Sequence, residues 1–167
     1  MTLAVDVYYK LDKAKAVGII FDRLTETVTS LKIANIEHVD EYKPGEFYRR
    51  ELPCIMAIID QIELSEIDLI IVDGHVYVDD DASLGLGGRL WEMLHKKIPV
   101  IGVAKTSFIK NKKTVEEIKR GISEKPLYVS AVGIDLASAA FFVKNMKGPF
   151  RMPDLLKLLD EKTKESI

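Results

Sequence analysis

The sequence predicts one α/β domain built on a mixed central sheet, an antiparallel meander followed by parallel strands, with helices on its flanks. Three observations carry that expectation. The first 36 residues hold three β-rich runs separated by short polar turns. Two later continuous apolar runs bracket a helical segment, the order of a parallel strand–helix–strand unit with a right-handed crossover. The 167 residues, 47% apolar and 30% charged, have the balance of a globular chain long enough to bury one core. That balance excludes a disordered or fibrous chain, and a single domain over 1–167 is expected.

The run LAVDVYY (3–9) is β-branched and aromatic, and its alternation puts Ala4, Asp6 and Tyr8 on one face and Leu3, Val5 and Val7 on the other. Residues 14–21 and 27–36 read as the next two strands, joined by the polar DRLTET turn. After EHVDEY, Pro44-Gly45 signals a turn. Ile55, Ile58, Ile59 and Ile62 then have the i, i+3, i+4, i+7 spacing of a buried helix face. Proline is tolerated in a first turn, so Pro53 predicts a helix starting close to it. Glu51 is then expected at or just before the helix N-terminus, where the dipole favours a carboxylate. DLIIVDG (68–74) reads as a strand buried on both faces that delivers Asp73 to its C-terminal end.

A helix is expected over 84–97, with Leu90, Trp91 and Leu94 inward, and PVIGVAK (99–105) as the next buried strand. The stretch 106–125 is compatible with a short helix or with a loop and hairpin. PLYVSAVGI is a further strand, and 136–146 and 153–164 read as helices separated by Lys147-Gly148-Pro149.

A net charge of −2 means that a nucleic-acid partner must be held by a local basic patch or a metal. From Lys105 to Lys125 seven Lys or Arg residues stand against three Glu, a stripe that suits phosphates. Cys54 is the only cysteine, which removes intramolecular disulfides and Cys-rich metal sites and points to a reducing cytoplasm. No basic leader or run of about 20 apolar residues is present, so no membrane association is expected. LGLGGRL lacks the third glycine of a dinucleotide loop. The DDDASLGLGGRL segment puts leucines at the glycine and bidentate-glutamate positions of a calcium loop.

Four carboxylates fall at informative places: Asp6 within a strand, Glu51 at a helix start, Asp73 at a strand end and Asp135 between a strand and a helix. Carboxylates on buried strands are costly to desolvate unless paired or bound to cations. A shared Mg²⁺ or Mn²⁺ would explain them, and such ions activate water and stabilise the leaving oxygen in phosphodiester chemistry. Lys105 ends its strand at the sheet edge where open α/β sheets bind ligands. His75 is of interest because it lies two residues after Asp73.

Together, VDVYY, YKPGEFYRRE, IIVDGH, LGLGGRL and PVIGVAK, with the tail PLYVSAVG and GPFRMPDLL, resemble the endonuclease V family in order and approximate spacing. The family cuts at deoxyinosine in DNA or inosine in RNA. The resemblance implies an RNase H-like fold and a Mg²⁺- or Mn²⁺-dependent endonuclease that cuts the second phosphodiester 3′ to the altered nucleotide. It implies Asp6 and Asp73 as metal ligands, Glu51 as the glutamate completing the acidic site, and Lys105 as the lysine near the reacting phosphate. Tyr42, Pro44 and Gly45 match the element that separates strands and helps expose the base, and Gly74 and His75 fall at the substrate-binding strand end. DNA or RNA is the implied partner, and a monomer is expected.

The chain also departs from the family. The His-Pro-Arg loop after the Asp-Gly strand end is replaced by VYVDDDASLG, and the family histidine expected after the last strand is missing from AVGIDLAS. Asp135 is the expected replacement, which would restore a four-carboxylate pattern. Two alternatives stay open: a diverged RNase H-like nuclease of other specificity, and a catalytically dead nucleic-acid-binding homologue.

Overall fold

The computed structural model describes residues 1–166. Strands β1 (Thr2–Lys10), β2 (Lys13–Phe21) and β3 (Val28–Ile36) form the antiparallel meander. Helix α1 (Phe47–Ile59), strand β4 (Leu69–Asp73), helix α2 (Leu86–Met93) and strand β5 (Val100–Ala104) follow. The chain then forms β6 (Glu116–Ile118), β7 (Leu127–Val132), α3 (Leu136–Lys144) and α4 (Asp154–Lys164). The sheet order is β3-β2-β1-β4-β5-β7-β6. Strands β1, β4 and β5 run parallel, and β7 turns back antiparallel to β5. The stretch 106–125 thus resolves as a loop and a hairpin.

Both faces of the sheet are covered, as the continuous apolar runs of β4 and β5 require. One core joins Leu3, Val5, Ile70 and Val72 to Ile55, Ile58 and Leu90 of α1 and α2. The other joins Ala4, Ile19, Ile71 and Ile101 to Ala140, Leu156 and Leu159 of α3 and α4. Each fully buried leucine or isoleucine contributes on the order of 1.5–3 kcal/mol, so the two layers hold the strand ends rigidly in register.

Helix α1 begins earlier than its proline suggests. Pro53 lies inside the helix and Glu51 is its fifth residue, not a residue at the N-terminus. The first turn is built by Phe47 to Arg50, and the exposed Pro53 ring is tolerated on the solvent side. The cost is one missing amide to the carbonyl of Arg49. Glu51 therefore owes nothing to the helix dipole and faces the sheet.

The glycines of LGLGGRL serve close packing. The amides of Gly85 and Gly88 donate to the Val76 carbonyl and that of Gly87 to the His75 carbonyl, so the start of α2 is bonded to the loop that follows Asp73. A Cβ at Gly88 would stand 2.7 Å from that Val76 oxygen.

Candidate active site

Because β1, β4 and β5 are parallel, their C-terminal ends reach the same sheet edge, where open α/β sheets bind ligands. Val5 pairs with Val72, so Asp6 and Asp73 follow at adjacent positions. The two-residue alternation puts Asp6 with Ala4, and Asp73 with Ile71, on the face covered by α4. There a cleft of about 410 Å³ is lined by Asp6, Asp73, Lys105, Arg151, Lys157 and Asp160 among others. Lys105 is exposed directly after β5.

The electrostatics show how closely these groups crowd. Burial pushes Asp6 up to about 7, and Asp73 and Asp160 add to the shift. The Val7 amide, donating to Asp6 Oδ1 at 2.8 Å, and Lys164 oppose it. Asp73 is exposed at the mouth of the cleft. Desolvation of its carboxylate in the cleft raises its pKa, Lys105 opposes the rise and Asp160 adds to it. Glu51 is buried on α1, which packs on the opposite face of the sheet, and it is not part of the cleft lining. Burial pushes it up to about 8, with Asp6 adding to the rise and Tyr9 opposing it. Its neighbour Arg50 stacks on the Tyr9 ring at 3.7 Å.

Asp160 carries no motif that marks it in the sequence. It lies on α4, where Leu155, Leu156 and Leu159 form the buried stripe. An aspartate four residues after Leu156 borders that stripe and faces the sheet, a signal masked by the charged sequence around it. Lys164 Nζ donates to Asp160 Oδ2 at 2.8 Å, so the same helix brings a cation to the carboxylates.

Asp135 does not join them. Since β7 runs against β5, with Val132 opposite Val100 and Tyr128 opposite Ala104, the residues after β7 emerge where β5 begins. Five residues of strand put that edge roughly 15 Å from the cleft. Asp135 instead caps α3, its Oδ2 accepting from the Ser138 amide at 3.0 Å.

Tyr42, Pro44 and Gly45 lie outside the cleft on the exposed segment leading into α1, with Tyr42 55% exposed and Gly45 at φ +80. Gly74 and His75 follow Asp73 directly. Gly74 adopts φ +143, and His75 Nε2 is 2.8 Å from the Thr106 carbonyl, with Phe108 packed on the ring. The VYVDDDASLG loop docks on the segment after β5: Asp80 Oδ1 accepts from the amides of Lys112 and Lys113 at 2.6 and 2.7 Å, and Asn111 donates to the Tyr77 carbonyl. The basic stripe is exposed at Lys105, Lys110, Lys112, Lys113, Lys119 and Lys125, but Arg120 is buried and leaves it.

Among the described residues, no group of three or more His, Cys, Asp or Glu side chains gathers closely enough to hold a metal ion. What fits is an open site. Asp6 and Asp73 stand at adjacent strand positions with Asp160 on the facing helix, and the raised pKa values of Asp6 and Asp73 show that their anionic forms are disfavoured in the free protein. Mg²⁺ commonly binds through one or two carboxylates while keeping several waters, which suits this arrangement.

A family model described as Endonuclease V matches residues 1–124. No curated protein matches the chain. Among solved structures, the chain is similar to Ciona intestinalis endonuclease V in complex with a 24mer DNA containing an inosine followed by a ribo-adenosine. The identity is 18% and the TM-score 0.83, over 98% of this chain and 84% of that one. It is similar to human ENDOV at 20% identity and TM-score 0.77, over 98% and 82% of the two chains. The endonuclease V of Streptomyces avermitilis gives 24% and 0.76, over 99% and 80%. These likenesses show the fold, a mixed α/β sheet of the RNase H-like kind.

Proposed function

The chain belongs to the endonuclease V family, and from that premise we propose a metal-dependent endonuclease that hydrolyses a phosphodiester 3′ to an inosine-type nucleotide in DNA or RNA. The observation that carries the reading is the meeting of Asp6, Asp73 and Asp160 in one cleft with Lys105 at its rim. A protein that only binds nucleic acid gains nothing from crowding carboxylates where they repel both one another and phosphates.

Asp6 and Asp73 would hold a divalent ion, with Asp160 across the cleft. Such an ion supplies an activated water and stabilises the departing 3′ oxygen. Lys105, Arg151 and Lys157 place positive charge along the cleft and orient the phosphodiester, much as lysine and arginine position nucleic-acid backbones generally. Glu51, buried and coupled to Asp6 and Asp73 through charge, would be the carboxylate that holds or accepts a proton beside the ion.

A base must leave its stack before it can be read. The exposed Tyr42 ring on its Pro44-Gly45 turn suits the gap that the base leaves. Gly74, in a conformation that favours glycine, lets the backbone beside His75 approach the extruded base closely.

The test uses DNA and RNA oligonucleotides with and without one inosine, in Mg²⁺, Mn²⁺ or EDTA, with the products mapped. Metal-dependent cleavage one nucleotide beyond inosine supports the reading. Cutting that ignores inosine, or no cutting with any metal, overturns it.

A further inference from the structure

Six backbone carbonyls converge on one side chain. Arg120 is 4% exposed, and its guanidinium donates through Nε to Lys144 at 3.2 Å and through Nη1 to Phe150 at 2.6 Å and Arg151 at 3.3 Å. Through Nη2 it donates to Met146, to Lys147 at 3.5 Å and to Gly148 at 3.2 Å. These carbonyls end α3 and form the connector to α4, a segment whose acceptors have no helical partners. Gly121, at φ +57, presses on the same connector: a Cβ there would meet the Pro149 carbonyl oxygen. The β6–β7 hairpin therefore grips the backbone that carries Phe150 and Arg151.

What the grip presents is a wall of the cleft. Phe150 is 57% exposed and lines the cleft, and Lys157 Nζ stands 4.7 Å from its ring centroid. Arg151 Nη2 donates to the carbonyls of Lys105 and Pro126 at 2.8 and 2.6 Å, which ties the wall to the backbone of Lys105. An aromatic ring more than half open to water, with a lysine ammonium over one face and its backbone held in place, has the make-up of a platform for an unstacked base on the other face.

We propose that Phe150 is a stacking subsite for a nucleotide base flanking the cleavage site, and that Arg120 is the positioning residue that holds it. The proposal rests on the nuclease reading above, because the subsite needs a nucleic-acid strand lying in the cleft.

The experiment measures kcat and KM on a single-stranded inosine oligonucleotide and on a set in which one flanking nucleotide at a time is made abasic. With wild-type protein, one abasic position should raise KM about tenfold, the usual worth of a base–aromatic stack. Phe150→Ala should show that KM on the intact strand, gain no further penalty from that abasic position and keep kcat within about threefold. Phe150→Trp should restore the wild-type KM. Arg120→Lys, whose single ammonium cannot span six carbonyls, should raise KM as Phe150→Ala does. The double variant should be no worse than either single one, the signature of coupled residues.

A wild-type KM in Phe150→Ala, or an abasic penalty that survives it, overturns the subsite. An Arg120→Lys variant with a lowered Tm but unchanged KM overturns the positioning role. If the wild-type protein cuts no inosine strand, the nuclease reading fails on its own account. Fluorescence anisotropy with the same oligonucleotides then decides the subsite by the same pattern in Kd.

Discussion

Asp6 and Asp73 occupy adjacent positions on neighbouring parallel strands, one step beyond the paired Val5 and Val72, on the same face of the sheet. Burial raises the pKa of Asp6, and Asp73 raises it further. The two carboxylates are thus strained as anions in the free protein and suited to share a cation.

That strain predicts how stability depends on pH. Asp6 and Glu51 titrate near 7 and 8 in the folded chain, against 3.8 and 4.5 as ordinary values. Between those limits the folded state holds protons that the unfolded state has released, so stability falls as pH rises. In EDTA, Tm should drop as pH rises from about 5 to about 8, with Asp6 alone accounting for on the order of 3 kcal/mol. Asp6→Asn should flatten much of the slope. Thermal melts across that range check the sign, and a Tm that rises with pH contradicts it.

Metal binding should act in the opposite sense. A ligand that binds only the folded state raises Tm by mass action. Mg²⁺ or Mn²⁺ near pH 8 should stabilise the wild-type protein, and Asp6→Asn or Asp73→Asn should lose most of that gain. Equal metal-induced shifts in wild type and variants would place the ion elsewhere.

The two remaining aspartates part company. Asp160→Asn should lower kcat by about 10²-fold or more, since it removes a charge facing the cleft. Asp135→Ala should cost about 1 kcal/mol of stability through the lost α3 cap and leave kcat unchanged. Paired melts and rate measurements separate the two effects.

That contrast marks the limit of what the sequence alone reveals. The meander, the buried runs of β4 and β5 and the aspartates at positions 6 and 73 are legible because strand periodicity and apolar continuity report directly on burial. The direction of β7 is not, since a strand reads alike whichever way it runs. The sequence therefore points Asp135 to the wrong sheet edge, and the charges of α4 hide Asp160. Pro53 suggests a helix start and so points Glu51 to a helix terminus, yet an exposed proline is tolerated inside α1. Arg120 reads as one more cation of a surface stripe, and only tertiary packing shows that six carbonyls enclose it.

Close packing behind the site gives a further prediction. A Cβ at Gly102 would lie 2.5 Å from the Gly74 carbonyl oxygen and 2.7 Å from Ser130 Oγ, which itself accepts from the Val76 amide. Gly102→Ala should push the turn after Asp73 out of place. A loss of about 1–3 kcal/mol in stability is expected, with a fall in kcat under conditions where the variant is still folded. Denaturant melts paired with rates at low temperature test this, and a variant of wild-type stability and rate would contradict the packing.

The most direct test of the acidic cleft as an inosine-directed nuclease centre is the mapped cleavage of one end-labelled inosine oligonucleotide by wild-type protein and by Asp73→Asn. The wild type should yield, only with Mg²⁺ or Mn²⁺, a single product ending one nucleotide 3′ of inosine, and folded Asp73→Asn should yield none. The same product from Asp73→Asn, or a wild-type cut placed without regard to inosine, would contradict the assignment.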